Sequence, residues 1–120
     1  MLDAYNLYAK ETGGVYDNST GLLRITKEQY KNLKSLYFII GGTKFELIPN
    51  AQILPRALYN LIGGQENSIY LAISEIGADQ VGTLDFIMGQ IVLERLYSVF
   101  DSSNNQVGFA TTKYTNANIN

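Results

Sequence analysis

Two alternating segments of apolar and polar residues predict a β-hairpin in the first half of the chain. Leu36–Ile40 and Thr43–Ile48 are rich in β-branched and aromatic residues, and Gly41 and Gly42 join them. A two-glycine connection supplies the positive φ angles that a tight hairpin turn requires. Charged residues alternate with apolar ones in the second segment, so we predict that one face of this hairpin is exposed to water.

Several other apolar segments of strand length occur along the chain. They are Gly21–Ile25, Ser68–Ser74, Leu84–Met88, Leu96–Asp101 and Gln106–Thr111. Strand segments outnumber helical ones, and they do not alternate with helices as in a parallel sheet. We therefore predict a single, mostly β domain with a few short helices over residues 1–115, and a polar tail over residues 116–120 that frays.

The sequence also predicts three short helices. Residues 26–29, Thr-Lys-Glu-Gln, form a capping box, in which the Thr26 hydroxyl accepts the Gln29 amide N–H and the Gln29 side chain reaches back. Apolar residues at helical spacing predict a helix over Leu2–Glu11, which two glycines end. Pro55 is suited to the first position of a short helical turn through Ile62.

Composition narrows the chemistry that the chain can perform. The absence of cysteine and histidine removes disulfides, Cys and His nucleophilic sites and the usual zinc ligands. We expect no metal or other cofactor, and proton chemistry would fall to carboxylates or tyrosines. A net charge of -2 with scattered lysines argues against nucleic-acid binding, and no apolar segment is long enough to span a membrane.

Residues 85–110 carry the most informative pattern. The element Phe86-Ile-Met-Gly89 is followed by Leu96–Asp101 and Val107–Ala110, and the hairpin Ser35–Leu54 precedes them. In this order the segments resemble pepsin-like aspartic proteases, and the resemblance covers nearly the whole chain. It implies the fold of the C-terminal lobe of an acid protease. In the segment Asp17–Leu23 and in its lack of cysteine, the chain is similar to secreted fungal enzymes of the polyporopepsin type.

The motif that performs catalysis in such proteases is absent. Neither Asp-Thr-Gly nor Asp-Ser-Gly occurs in these 120 residues. The mechanism needs two carboxylates that share a proton and activate one water. We therefore assign no catalytic residue and expect a truncated domain that is inactive on its own. The resemblance implies that the catalytic aspartate of such a lobe lies shortly before a helix like Leu2–Glu11. Asp85 and Asp101 could approach a cleft, but we interpret Asp101 as the start of a turn whose side chains cap their own backbone.

The resemblance assigns a few residues to non-catalytic roles. Gln52, Ile53 and Leu54 correspond to a wall of the substrate cleft, so they are candidates for a remnant peptide site. The family scaffold motif maps to Ile87, Met88 and Gly89. Gln90 departs from the family, which commonly has an acid after this glycine.

A non-enzymatic role is the alternative. A lobe without its partner would leave apolar strand edges and an uncovered face, which favours a homodimer or higher assembly that captures peptides or regulates a protease. The parent family is secreted, although the first residues carry no signal peptide pattern and leave the localisation of this chain open. Asn18-Ser19-Thr20 matches the pattern of a glycosylation acceptor, which suits a secreted parent.

Overall fold

The computed structural model describes residues 2–76 and 87–120 and consists of short strands and short helices. The helices are α1 (Leu2–Thr12), α2 (Lys27–Lys31), α3 (Pro49–Gln52), a 3-10 turn (Arg56–Leu58), α4 (Tyr59–Ile62) and α5 (Gln90–Leu93). The strands are β1 (Val15–Asp17), β2 (Leu22–Ile25), β3 (Leu36–Ile40), β4 (Thr43–Leu47), β5 (Ile69–Tyr70), β6 (Leu96–Asp101) and β7 (Gln106–Thr111).

The described strands form one three-stranded antiparallel sheet, which we call the central sheet, and two antiparallel sheets of two strands each. In the central sheet β2 lies between β1 and β5, while β3 pairs with β4 and β6 pairs with β7. Residues 52–54 continue the central sheet beyond β5, because Ile53 forms a bridge with Leu71. The Leu54 amide donates to the Tyr70 carbonyl at 2.9 Å, and the Ala72 amide donates to the Gln52 carbonyl at 2.8 Å.

The core lies on both sides of this central sheet. One buried cluster contains Leu23, Ile25, Ile69 and Leu71, and side chains from one face of α1 pack against it. The second cluster contains Leu54, Tyr59 and Tyr70. The rings of Tyr59 and Tyr70 meet edge to face at 5.1 Å, a favourable aromatic geometry. Helices and sheet therefore bury their apolar faces against each other.

The capping box predicted at Thr26 is confirmed. It starts α2 and also connects this helix to the end of α1. The Thr26 hydroxyl accepts the Gln29 amide at 3.1 Å, and the Gln29 side-chain oxygen accepts the Thr26 amide at 2.7 Å. Gln29 Nε2 also donates to the carbonyl of Gly13 at 2.9 Å. A Cβ at Gly13 would lie 2.6 Å from this nitrogen. The φ angle of Gly13 is +70°, which is unfavourable for residues other than glycine. Glycine at this position thus allows α2 to join the end of α1.

The predicted hairpin of β3 and β4 is also confirmed, and the predicted strands Leu96–Asp101 and Gln106–Thr111 pair with each other as β6 and β7. Gly41 and Gly42 have φ angles of 56° and 78°, as a tight hairpin turn between β3 and β4 requires. Phe45 and Leu47 are buried, whereas the charged residues between and beside them are exposed. Phe45 meets Phe109 of β7 edge to face at 6.2 Å, so this contact connects the two hairpins.

The structure differs from the sequence prediction at several places. Strand β5 is shorter than the predicted Ser68–Ser74, and β1, α3 and α5 were not predicted. Ile87 and Met88 are not in a strand, and the rest of the predicted strand Leu84–Met88 lies outside the described residues. The frayed tail stays a prediction; in the structure its last residues have partners, since the amides of Ile119 and Asn120 donate to Asn50 Oδ1 at 3.1 and 3.3 Å.

We predict that Leu71→Ala lowers the free energy of unfolding by about 2–5 kcal/mol, because it removes a fully buried side chain and leaves a cavity in the core. Urea denaturation followed by circular dichroism measures the change. Leu61→Ala is the matched control, since Leu61 is 80% exposed and its truncation should change stability by no more than about 0.5 kcal/mol. Equal losses in the two variants would contradict this assignment of the core.

Candidate functional site

Gln52, the first residue of the predicted cleft wall, is a buried structural side chain. It is 1% exposed. Its Nε2 donates to the carbonyl of Lys34 at 2.8 Å and to that of Leu47 at 2.9 Å. Its Oε1 accepts the hydroxyl of Tyr8 at 3.0 Å. Both amide protons and the amide oxygen are therefore used within the chain, and any contribution of this side chain to a peptide site would be indirect.

Ile53 and Leu54 lie beside Gln52 along the edge of the central sheet. Leu54 is 8% exposed and belongs to the second core cluster. Ile53 is half-buried and pairs through its backbone with Leu71. Of the three wall residues, Ile53 alone has a side chain with more than a small exposed fraction. The peptide-wall assignment of these residues stays a prediction.

The hydroxyl of Tyr8 lies where α1 approaches Gln52, and the residue is half-buried. Burial raises the pKa of Tyr8 well above its ordinary value, because a phenolate would lose its hydration there. Tyr8 therefore remains a neutral hydrogen-bond donor over the physiological pH range and holds Gln52 in place.

An open groove of about 460 Å³ runs between the end of α1 and α2, with Tyr8 and Gln52 in its lining. Two lysines and two glutamates line it as well, so neither charge dominates. The charged lining residues are Lys10, Glu11, Glu28 and Lys34. The lining contains no cysteine, histidine or aspartate, and nothing in it resembles an activated nucleophile.

The scaffold motif Ile87, Met88 and Gly89 leads into α5. The carbonyl of Gly89 accepts the amides of Val92 and Leu93, each at 3.1 Å, and so begins the helix. Ile87 is 60% exposed and Met88 is half-buried. The next residue with an apolar side chain, Ile91, packs against the second core cluster.

Asp101 occupies the turn between β6 and β7. Its carboxylate accepts the backbone amide of Asn104 at 3.3 Å and the side-chain amide of the same residue at 2.8 Å. This is the self-capping turn that the sequence predicts. Asp85, the other aspartate considered there, lies outside the described residues.

Sequence reasoning missed a second buried polar cluster, centred on Arg95. This side chain is 4% exposed. Its Nη2 donates to Asn50 Oδ1 at 3.0 Å, and its Nη1 donates to the carbonyls of Tyr114 and Ala117. Thr115 donates its hydroxyl to the Arg95 carbonyl at 2.6 Å. No local sequence signal predicts such a cluster, because its partners are distant along the chain.

Neutral oxygens hold this guanidinium. Within residues 2–76 and 87–120 the one ion pair joins Lys31 and Glu28, on the exposed surface. Burial lowers the pKa of Arg95, while the neighbouring Glu94 carboxylate opposes that shift. Neutral acceptors can satisfy a buried guanidinium because each N–H group needs only an oxygen in the right direction. The cluster fixes the position of the chain after β7 and offers no catalytic group.

The described part of the chain contains no cluster of three or more acidic, cysteine or histidine side chains that could hold a metal ion. Among the described helices, none combines the length and the apolar character needed to cross a membrane.

The sequence matches the family model of eukaryotic aspartyl proteases over residues 2–112. The chain belongs to the eukaryotic aspartyl protease family. This finding confirms the family that the segment Asp85–Ala110 indicated. The aspartyl protease family also accounts for the mixture of short strands and short helices in the fold.

Individual relatives agree with the family match. The chain is 53% identical to polyporopepsin of Irpex lacteus over 118 residues, which cover 98% of this chain and 35% of that protein. It is 36% identical to human gastricsin over 98 residues, which cover 82% of this chain and 23% of that protein. The crystal structure of the aspartic proteinase from Irpex lacteus superimposes with a TM-score of 0.90, over 98% of this chain and 35% of that one. The chain thus spans about a third or less of these aspartyl proteases.

We predict that Tyr8→Phe flattens the loss of stability at alkaline pH. The pKa of Tyr8 is raised in the folded state, so as pH rises through about 10 the unfolded chain releases this proton first. The free energy of unfolding therefore falls with pH in the parent chain and falls less in the variant. At neutral pH the variant should lose about 1 kcal/mol, because Gln52 Oε1 loses its donor.

Urea denaturation at a series of pH values between neutral and alkaline measures both effects. Tyr97→Phe is the control, because Tyr97 is 63% exposed and its change should leave the parent's pH dependence intact. If the free energy of unfolding falls with pH equally steeply in the parent and in Tyr8→Phe, Tyr8 is not the group that causes the loss of stability.

Proposed function

We propose that this chain is a scaffold part of an acid endopeptidase and that it does not hydrolyse peptides on its own. One observation carries the proposal: a member of the aspartyl protease family here lacks the Asp-Thr-Gly or Asp-Ser-Gly motif throughout its 120 residues. Two carboxylates that share a proton are the chemical requirement of the mechanism.

The hydrogen bonds of the described acidic residues support the proposal that no other pair of carboxylates replaces the catalytic ones. Each acid whose side chain accepts a hydrogen bond takes it from a neutral group. The acceptor and donor residues are Asp17 with Ser19, Glu46 with Ser35, Glu94 with Gln90, and Asp101 with Asn104. The pKa of Asp17 is lowered, chiefly by the Ser19 hydroxyl, whereas one member of a proton-sharing pair needs a raised pKa.

The share of the relatives that this chain covers supports the same proposal. The match spans 35% of polyporopepsin, so the larger part of a complete enzyme of this kind has no counterpart here. We propose that both catalytic carboxylates and most of the cleft belong to that larger part. The intact enzyme would then be secreted, as the sequence resemblance implies.

We predict that the purified chain fails to cleave an unfolded protein at acid pH. Refolding it together with a polypeptide that comprises the unmatched remainder of the Irpex lacteus aspartic proteinase should produce cleavage that pepstatin inhibits. Restoration is expected because the two chains have 53% identity in the shared part and closely similar backbones. The remainder refolded alone is the control. Pepstatin-sensitive cleavage by the purified chain alone would refute the proposal.

The exposed apolar surface supports a second function, that of a non-enzymatic homodimer which captures peptides or regulates a protease. Phe100 and Val107 face each other across β6 and β7, and they are 74% and 54% exposed. Ile39 on β3 is 75% exposed. Large apolar side chains grouped on strands favour association when nothing covers them.

For this second function we predict self-association at micromolar concentration, measured by light scattering and sedimentation velocity. Phe100→Lys should weaken the association, because it places a charge within the apolar pair. Leu61→Lys is the matched control, since Leu61 is equally exposed at 80% but lies on α4. A stable monomer, or equal weakening by both changes, would argue against a dimer through this hairpin.

A further inference from the structure

The turn between β1 and β2 presents a polar triplet that the proposed functions leave without a role. Residues 18–20 have the sequence Asn-Ser-Thr. The amides of Thr20 and Gly21 donate to the carbonyl of Asp17 at 3.3 and 2.8 Å, which closes the turn. Asn18 and Ser19 are exposed at its tip.

The internal hydrogen bonds of this turn use every polar side chain except that of Asn18. The Asp17 carboxylate accepts the Ser19 amide at 2.9 Å and the Ser19 hydroxyl at 2.6 Å. The Thr20 hydroxyl oxygen accepts the amide of Leu22 at 3.3 Å. Among the described residues, none hydrogen-bonds with the side chain of Asn18. The Asn18 amide nitrogen therefore has no partner among them and lies on an exposed, hydrogen-bonded turn.

We propose that Asn18 is the acceptor of an N-linked glycan when the chain passes through the secretory pathway. The triplet Asn18-Ser19-Thr20 is the sole match in the sequence to Asn-X-Ser/Thr, the pattern that the transferase reads. The co-substrate is an oligosaccharide linked to a lipid diphosphate. A bond forms between Asn18 Nδ2 and the anomeric carbon, the bond from that carbon to the diphosphate oxygen breaks, and Nδ2 loses one proton.

The position of the glycan has a structural consequence. Strand β1 is an edge strand of the central sheet within the described residues, and its Val15 and Tyr16 are 63% and 55% exposed. A glycan on Asn18 would project from the end of this strand. A bulky, hydrated group there hinders the pairing of the edge with another chain and shields its apolar residues.

The test is expression of the full chain behind a cleavable signal peptide in a eukaryotic secretion host. We expect a fraction of heavier protein that a peptide N-glycanase converts to the unmodified mass. Asn18→Gln and Thr20→Ala should each abolish the heavier form. Asn67→Gln is the matched control, because Asn67 is exposed and precedes a serine, but Ile69 occupies the third position. It should leave the heavier form unchanged.

Mass spectrometry locates the modified residue. Cleavage after Lys10 and Arg24 gives the peptide of residues 11–24, and deglycosylation in heavy-oxygen water should convert its Asn18 to a labelled aspartate. An unmodified chain in cells that glycosylate a co-expressed reference protein would overturn the proposal. A glycan found on another asparagine, or one that persists in Asn18→Gln, would overturn it as well. The outcome does not depend on peptidase activity.

Discussion

The side-chain amide of Gln52 is the constraint on which most of the fold depends. It connects α1 through Tyr8, the approach to β3 through Lys34 and the end of β4 through Leu47. Its backbone carbonyl also accepts the amide of Ala72 beyond β5. A buried amide with all partners in place is specific, because any shift of one element would leave an unsatisfied polar group in the interior. The neutrality of Tyr8 completes this arrangement.

Local signals predicted the parts of the fold in which residues close in sequence decide the structure. The glycine pair after Ile40, the capping box at Thr26 and the apolar segment Leu96–Asp101 are each read within a few residues, and each element formed as expected. Strand β5 extends less far than its apolar run. After Tyr70 the Leu71 amide still donates to the Leu23 carbonyl at 2.8 Å, but the pairing with residues 52–53 is limited to the bridge between Ile53 and Leu71 and the bond from the Ala72 amide to the Gln52 carbonyl. The three-residue strand β1 was missed because it is too short to show a period.

The sequence could not predict the roles of Asn50, Gln52 and Arg95, which pattern analysis treats as surface residues. Each is buried because its polar atoms meet partners that are distant along the chain; Arg95 and Asn50, for example, lie 45 residues apart. The resemblance placed Gln52 in a substrate wall, whereas its side chain is directed into the interior. Family membership followed from the motif order, whereas the Asp-Thr-Gly or Asp-Ser-Gly motif does not occur in these 120 residues.

Asn50 also joins segments that a ribosome makes at different times. Its Oδ1 accepts amides of Ile119 and Asn120, which lie 69 and 70 residues later. At about 5–20 residues per second, a ribosome needs roughly 4–14 seconds to produce that interval. During this time the hairpin of β3 and β4 can already pair, while the amides of Ile119 and Asn120 have not yet been made. The contact of Asn50 with these two amides therefore has to wait for distant sequence, whereas the local contacts of the hairpin do not.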